Sequence, residues 1–235
     1  PMTDELPFAN IAHGNSSVIG DRLALACADY VVTEAGFGSD MGAEKFMHIK
    51  APVGQKAPDC VVMNVTVRSM KLHGGAFGDR AGRRPSKVEL EAENVEAMLE
   101  GAKTNLDRHI RNMSGFGMPV VVSINRFASD TDAELDALAD AARASGAYEV
   151  CLTEVHARGG EGGAPLAKAV VRAVQDHVAA GRPFTPLFMP DAPVMEKVEG
   201  LATRLYGAEA VAVSASAKKP LDRFAAWGSG HLPVC

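Results

Sequence analysis

Arg158-Gly159-Gly160-Glu161-Gly162-Gly163 places four glycines in five positions. Such a run lets backbone come close to a ligand or to another strand. The amides at the start of a following helix favour an anion. No Gly-Lys-Ser/Thr follows, so the run is not a Walker A loop. A flexible connection is the other reading. His13 lies in Asn10-Ile11-Ala12-His13-Gly14-Asn15-Ser16-Ser17, before a helix-like segment. Those polar residues either cap the helix or hold a phosphate on its amides. Lys71 and His73, with Gly74 and Gly75, follow an apolar run. A lysine and a histidine at a strand end suit a polyphosphate, or else both sit at a solvated surface. Phe46, Phe127, Leu152 and His156 flank polar loops, where flat side chains stack on a heterocycle or else belong to the core. Glu34 and Asp40 are placed to orient an amine or bind a cation, or are simply solvated. No Cys/His ligand set, Ser-His-Asp order or paired-carboxylate signature stands out.

The elements that must position these residues alternate between strand-like and helix-like patterns. This predicts an α/β fold, a parallel sheet with flanking helices. Ser17 to Cys27 reads as a helix, and the β-branched run Tyr30-Val31-Val32-Thr33 as a strand. Phe37 to Gly42 reads as loop, and Ala43 to Lys50 as a short helix. Asp59 to Val67 is a mostly apolar, proline-bounded strand of the kind buried in parallel sheets. Ala76 to Lys87 reads as exposed loop. Ser86 and Glu89 have capping-box spacing, and a long helix is expected from Val88 to Met113. Pro119 to Asn125 is a second buried strand, Thr131 to Ser145 an amphipathic helix closed by Gly146, and Tyr148 to Thr153 the next strand. Arg158 to Gly163 reads as loop and Ala164 to Ala180 as a helix ending at Gly181. Val194 to Tyr206 is helical and Val211 to Val213 a short strand. Ligands in such sheets sit beyond the carboxyl ends of the strands. The segments there are 33–38, 68–75, 125–127 and 154–163.

Composition sets the outer bounds. At ~150 residues per domain, 235 residues make one or two domains. A hydrophobic fraction of 47%, a charged fraction of 23% and a mean hydropathy of zero are globular values that argue against wholesale disorder. A net charge of −5 and a pI near 5.8 leave no general nucleic-acid footprint. The apolar runs are shorter than the ~20 residues a membrane span needs. Cys27, Cys60, Cys151 and Cys235 form no CxxC pair, which fits buried reduced thiols in a cytoplasmic protein. The sequence opens without a signal-peptide pattern.

Taken together, the motifs resemble one family. Pro7-Phe8-Ala9-Asn10-Ile11-Ala12-His13-Gly14 is similar to a signature of the formate–tetrahydrofolate ligases, as are Asp29 to Gly38 (DYVVTEAGFG), Gly42 to Phe46 (GAEKF) and Thr66 to Gly75 (TVRSMKLHGG). Val120 to Phe127 (VVVSINRF) and Thr153 to Gly163 (TEVHARGGEGG) extend the resemblance over nearly the whole chain, in the right order.

That resemblance implies a P-loop NTPase-like α/β architecture, present here in part. It also implies ATP-dependent joining of formate to the N10 nitrogen of tetrahydrofolate through formyl phosphate. Mg2+ and a monovalent cation (K+ or NH4+) assist, and members are cytoplasmic homotetramers, without nucleic-acid or membrane partners. Phe46, Phe127, Leu152 and His156 correspond to the folate pocket, with Phe127 stacking on the pterin. His156 stands where many members carry Trp. Glu34, Gly36, Phe37, Gly38 and Asp40 correspond to the surroundings of the reacting groups, and Asn10, Ala12 and His13 to the formyl phosphate region. The catalytic set implied is Asn10, His13, Glu34 and Asp40. Lys71, His73 and Gly74 correspond to the nucleotide side.

The family's phosphate-binding loop lies upstream of the PFANIAHG motif, and members continue beyond the last residues of this sequence. The sequence therefore reads as an internal slice, with residues 1–115 from the large nucleotide and formyl phosphate domain and 116–235 a second α/β domain that contributes to the folate pocket. It is expected to keep much of the folate side and to have little or no ligase activity by itself. The alternative is a non-catalytic folate-binding or subunit-partner module derived from the ligase. An unrelated α/β nucleotide-binding domain is the generic third reading.

Overall fold

The computed structural model describes residues 15–36, 38–77 and 85–234. Asn10, Ala12, His13 and Phe37, singled out above, lie outside the described residues. The chain divides into two units. One comprises residues 58–183, the other residues up to Ala57 together with those from Phe184 onward. The fold class is α/β, as the alternating pattern predicts.

The 58–183 unit is built on three parallel strands in the order β1 (Val61–Val65), β2 (Val120–Asn125), β3 (Glu149–Thr153). Val61 pairs with Val120 and Val65 with Ile124, while Val121 pairs with Glu149 and Asn125 with Thr153. The central strand β2 is buried along Val120–Ile124, which explains a run that is apolar except for Ser123. The connections carry α3 (Val67–His73), α4 (Lys87–Glu91), α5 (95–114) and α6 (Asp132–Ala144). After β3 come α7 (Val155–Arg158) and α8 (Gly160–Ala180). Small residues set the contact of α8 with the sheet: Ala169 and Ala173 pack with Val121 and Cys151 in one buried cluster. The expected boundary at 115/116 falls inside this unit, because Gly115 ends α5 and the chain runs on into β2, which pairs with β1.

Two expectations for this unit need correction. The single helix over Val88 to Met113 is two helices. Ala92 is extended (φ −66°, ψ 132°), and Asn94 starts a new helix by accepting the Ala97 N–H at 3.0 Å. The Ser86–Glu89 capping box forms as expected. The glycine-rich 158–163 run is helical except for one break at Gly159 (φ 57°). One of its glycines serves a close approach, to the chain's own backbone: a Cβ on Gly162 would lie 2.5 Å from the Glu154 carbonyl, whereas one on Gly159 or Gly160 would meet nothing within 4 Å.

The other unit holds α1 (Val18–Cys27), α2 (38–54), α9 (194–205) and α10 (Ala215–Ala226). Ser17 caps α1 by accepting the Gly20 N–H. Helix α2 is longer than the expected Ala43–Lys50 and includes wider turns at Gly38–Gly42 and Phe46–Lys50. The interior of this unit includes Phe46, Met47, Ala51, Phe188, Leu201 and Leu205. The segments 30–33 and 211–213 are not strands. Val32 is 93% exposed, and β-branched propensity makes a strand only where a neighbour pairs with it. Cys27 is exposed, against the expectation of buried thiols, whereas Cys151 is buried and Cys60 half-buried.

Candidate functional site

The carboxyl ends of β1, β2 and β3 gather most of the second-half candidates on one edge of the sheet. After β1, Thr66 and Ser69 form a reciprocal cap that fixes the first turn of α3. Arg68 leaves from that turn. Its guanidinium lies over the Phe127 ring, 4.2 Å from the centroid. Its Nη2 donates to Ser129 Oγ at 2.9 Å and lies 3.5 Å from Glu91 Oε1.

After β2, the Phe127 N–H donates to Asp130 Oδ2 at 2.8 Å, and the Asp130 N–H returns to the Phe127 carbonyl at 3.0 Å. Burial pushes the Asp130 carboxyl above its ordinary value, against the bond from Phe127. This closed turn leaves Phe127 36% exposed.

After β3, the Arg126 N–H donates to the Thr153 carbonyl, and its guanidinium lies 3.5 Å from Glu154 Oε1. Glu154 also meets Arg158 at 3.4 Å. Leu152 alternates with buried Cys151 and Thr153 and so faces out of the sheet, 38% exposed. His156 is exposed on α7. Phe127, Leu152 and His156 are therefore all borne by the ends of adjacent strands β2 and β3.

Lys71 and Gly74 are engaged within the fold. Lys71 is fully buried. Its ammonium donates to Glu134 Oε1 and to the Ala92 carbonyl, both at 2.9 Å. Gly74 lies where α3 crosses α5, and a Cβ there would sit 1.7 Å from the Ala97 carbonyl oxygen. Of the three nucleotide-side candidates, His73 alone presents an exposed side chain.

The remaining described candidates belong to the other unit. Glu34 is exposed. Gly36 packs directly on Gly42, where a Cβ would lie 2.0 Å from the Gly36 carbonyl oxygen. Gly38 has φ +80°, and a Cβ there would meet the Asp40 carboxylate at 2.8 Å. The Asp40 carbonyl accepts the Tyr206 hydroxyl at 2.9 Å. Phe46 is buried, and the Lys50 ammonium covers its ring 4.5 Å from the centroid. Lys50 is in turn paired with Asp21 at 2.7 Å.

Comparison with known proteins decides the family. A family model described as formate–tetrahydrofolate ligase matches residues 3–235. The chain belongs to the formate–tetrahydrofolate ligase family. Proteins of that name from Desulforamulus reducens, Ruegeria sp. and Roseiflexus castenholzii are 46%, 47% and 47% identical to it over 229 residues. Each alignment covers 97% of this chain and 39%, 38% and 40% of the relative, respectively. The chain thus spans about two fifths of the length of the curated relatives it matches.

For a member of the formate–tetrahydrofolate ligase family, the sheet edge offers a flat aromatic plate, an apolar neighbour and an imidazole. Arginine–carboxylate pairs rim that set. Arg68 and Arg126 were not singled out from the sequence. Arg126 lies one residue and Arg68 three residues past a strand's carboxyl end, which places both at this edge but does not tell what they touch. Among the described residues no group of three or more His, Cys, Asp or Glu side chains comes together as a metal site. None of the described helices is long and apolar enough to cross a membrane.

Proposed function

We propose that this chain carries the tetrahydrofolate side of a formate–tetrahydrofolate ligase site, with the pterin stacked on Phe127. The observation that carries this reading is the Phe127 ring, partly open to solvent at a sheet's carboxyl end and fixed by Asp130 and Arg68. Ligands of parallel α/β sheets bind at that end. A planar heterocycle gains most from a ring that is already immobile.

In the proposed reaction, formate is activated by ATP as formyl phosphate within a P-loop NTPase-like architecture. N10 of tetrahydrofolate attacks the formyl carbon, phosphate leaves, and 10-formyltetrahydrofolate is the product. Leu152 packs on the pterin beside Phe127, and His156 borders it with an imidazole. Glu34 and Asp40 act near the reacting amine, where a carboxylate accepts the proton that N10 releases. Gly36 and Gly38 keep that backbone close, and Phe46 supports it from the interior of its unit. Asn10, His13 and Phe37, outside the described residues, have the roles implied by their motifs.

The Lys71 ammonium is committed to Glu134 and Ala92, so it is not offered as a phosphate ligand. His73 is retained for the nucleotide side. We place the ATP phosphates, Mg2+, a monovalent cation and homotetramer contacts in the intact enzyme, and propose that ligation needs groups beyond these 235 residues. A missing phosphate cradle is costly, since each 1.4 kcal/mol of transition-state binding is about tenfold in rate.

The test is calorimetric titration of the purified chain with tetrahydrofolate, without ATP. Saturable binding that weakens at least tenfold in Phe127→Ala is expected. A chain that melts cooperatively but binds no tetrahydrofolate overturns the reading.

A further inference from the structure

We infer that Arg68 is a positioning residue for this site: its guanidinium backs the Phe127 ring and holds it as a rigid plate for a flat heterocycle. The inference rests on the reading that a pterin stacks on Phe127.

Two elements meet at this contact. The Phe127 backbone is locked in a closed turn by two hydrogen bonds with Asp130. What remains free is the ring torsion, which is intrinsically broad for phenylalanine. An exposed ring on such a turn would have to be frozen by each incoming ligand. Arg68 removes that freedom from the opposite side. Its backbone is set by the Thr66–Ser69 cap immediately after β1. Its guanidinium is held at one edge by Ser129, on the same turn as Phe127, and by Glu91 at the end of α4. The 4.2 Å separation from the ring centroid is well inside the ~6 Å reach of a cation–π contact.

The guanidinium is a planar fork, so it can stack on the ring and still bond Ser129 in one orientation. A lysine ammonium has the charge without the plane. The Arg68 Nε is buried without a hydrogen-bond partner among the described residues. A buried N–H left unpaired is costly. The side chain therefore sits where the ring contact and the Ser129 bond place it, rather than where every donor is satisfied.

The experiment measures tetrahydrofolate affinity by calorimetry for the full chain, Arg68→Met, Arg68→Lys, Phe127→Leu and the double variant Arg68→Met/Phe127→Leu. Each is first required to keep the cooperative melt of the parent. Arg68→Met is expected to weaken binding roughly 3- to 20-fold, the range of a cation–π contact. Arg68→Lys should recover part of that loss. In the Phe127→Leu background, Arg68→Met should change affinity less than about twofold, because the coupling runs through the ring. Equal losses in both backgrounds, or no loss in a folded Arg68→Met protein, overturn the inference while leaving the pterin reading intact. If Arg68→Met alone fails to melt cooperatively, the folded Arg68→Lys protein decides: unchanged affinity overturns the inference, a loss supports it. A parent chain that binds no tetrahydrofolate overturns the pterin reading, and the ligand role of Arg68 falls with it. The stack is also read without ligand. Ring-current shifts on the Arg68 Hδ and Nε resonances should be present in the parent and absent in Phe127→Leu, and their absence from the parent overturns the inference by itself.

Discussion

Lys71 Nζ lies 2.9 Å from Glu134 Oε1, and neither side chain reaches solvent. The pair joins α3 to α6, and the same carboxylate oxygen also accepts the Asn94 N–H at the start of α5. Removing one partner of a buried pair typically costs about 3–5 kcal/mol, because the other charge is left uncompensated. Lys71→Met should therefore lower the urea midpoint strongly, and adding Glu134→Gln should restore part of the loss. A Lys71→Met protein with the parent's stability but weakened nucleotide binding would return this lysine to the phosphate site.

Glu134 and Asp130 should give stability slopes of opposite sign against pH. For Glu134, burial opposes ionisation, but the bonds from Asn94, Lys71 and Thr131 hold the carboxyl below its ordinary value. Its contribution is present above the ordinary carboxylate range and disappears as pH falls through the lowered folded value. Asp130 is pushed up by burial. Its contribution is greatest below the ordinary range and fades as pH rises through the raised folded value. In denaturant melts from pH 3 to 7, Glu134→Gln should flatten the acid-side loss and Asp130→Asn the opposing slope. Identical pH profiles for parent and variants would remove both assignments.

The sheet was legible because its strands are apolar runs bounded by proline or glycine, and β2 needs no partner-dependent argument to be buried. Segments 30–33 and 211–213 carry the same β-branched signal, and nothing in the local pattern tells that no strand among the described residues lies beside them. The break at Ala92 was hidden for a related reason. It is fixed by Lys71, twenty-one residues earlier, whose ammonium takes the Ala92 carbonyl. At the site, the residues named from motifs were legible as types, and Phe127, Leu152 and His156 fell where strand ends place them. Arg68 was not, since a cation over a ring joins positions 59 residues apart. The packing of Gly74 was not legible, because close approach to a ligand and close approach to a helix demand the same residue.

That helix crossing gives a sharp test. A Cβ on Gly74 would lie 1.7 Å from the Ala97 oxygen, and one on Gly101 would lie 1.9 Å from the Met70 oxygen. Both contacts are with backbone, which cannot move aside as a side chain can. Gly74→Ala and Gly101→Ala should each cost at least the ~1–3 kcal/mol of an overpacked core. Gly160→Ala is the control: nothing lies within 4 Å of its Cβ, and it sits in the first turn of α8. That substitution should stabilise by about 0.5–1 kcal/mol. Equal effects at all three positions would show that the crossing is looser than described.

Thiol labelling should separate the cysteines by burial. Cys60 is pushed up to about 11 by burial, aided by Asp59, and Cys151 is also raised by burial. The thiolate is the reactive form, so at pH 8 only on the order of one Cys60 in a thousand is ionised. Cys27 is exposed. With a disulfide reagent at pH 8, Cys27 should react within the fast phase, and Cys60 and Cys151 only on unfolding. Rapid labelling of Cys60 in the native chain would contradict its burial against β2.

Lys197 tests the other unit. Its ammonium is fully buried and is met by three backbone carbonyls: Pro190 at 2.6 Å, Gly230 at 2.8 Å and Leu232 at 3.0 Å. The lysine thus pins the segment after α10 to the start of α9. Methionine matches the length but donates nothing, which leaves the three carbonyls to find water. Each unsatisfied buried acceptor costs about 1–3 kcal/mol, so they reach water by releasing residues 228–234. Lys197→Met should therefore raise deuterium uptake over 228–234 well before global unfolding, with β1, β2 and β3 protected as in the parent. Unchanged uptake over 228–234 would mean that the tail is held by other contacts and that the lysine is not its anchor.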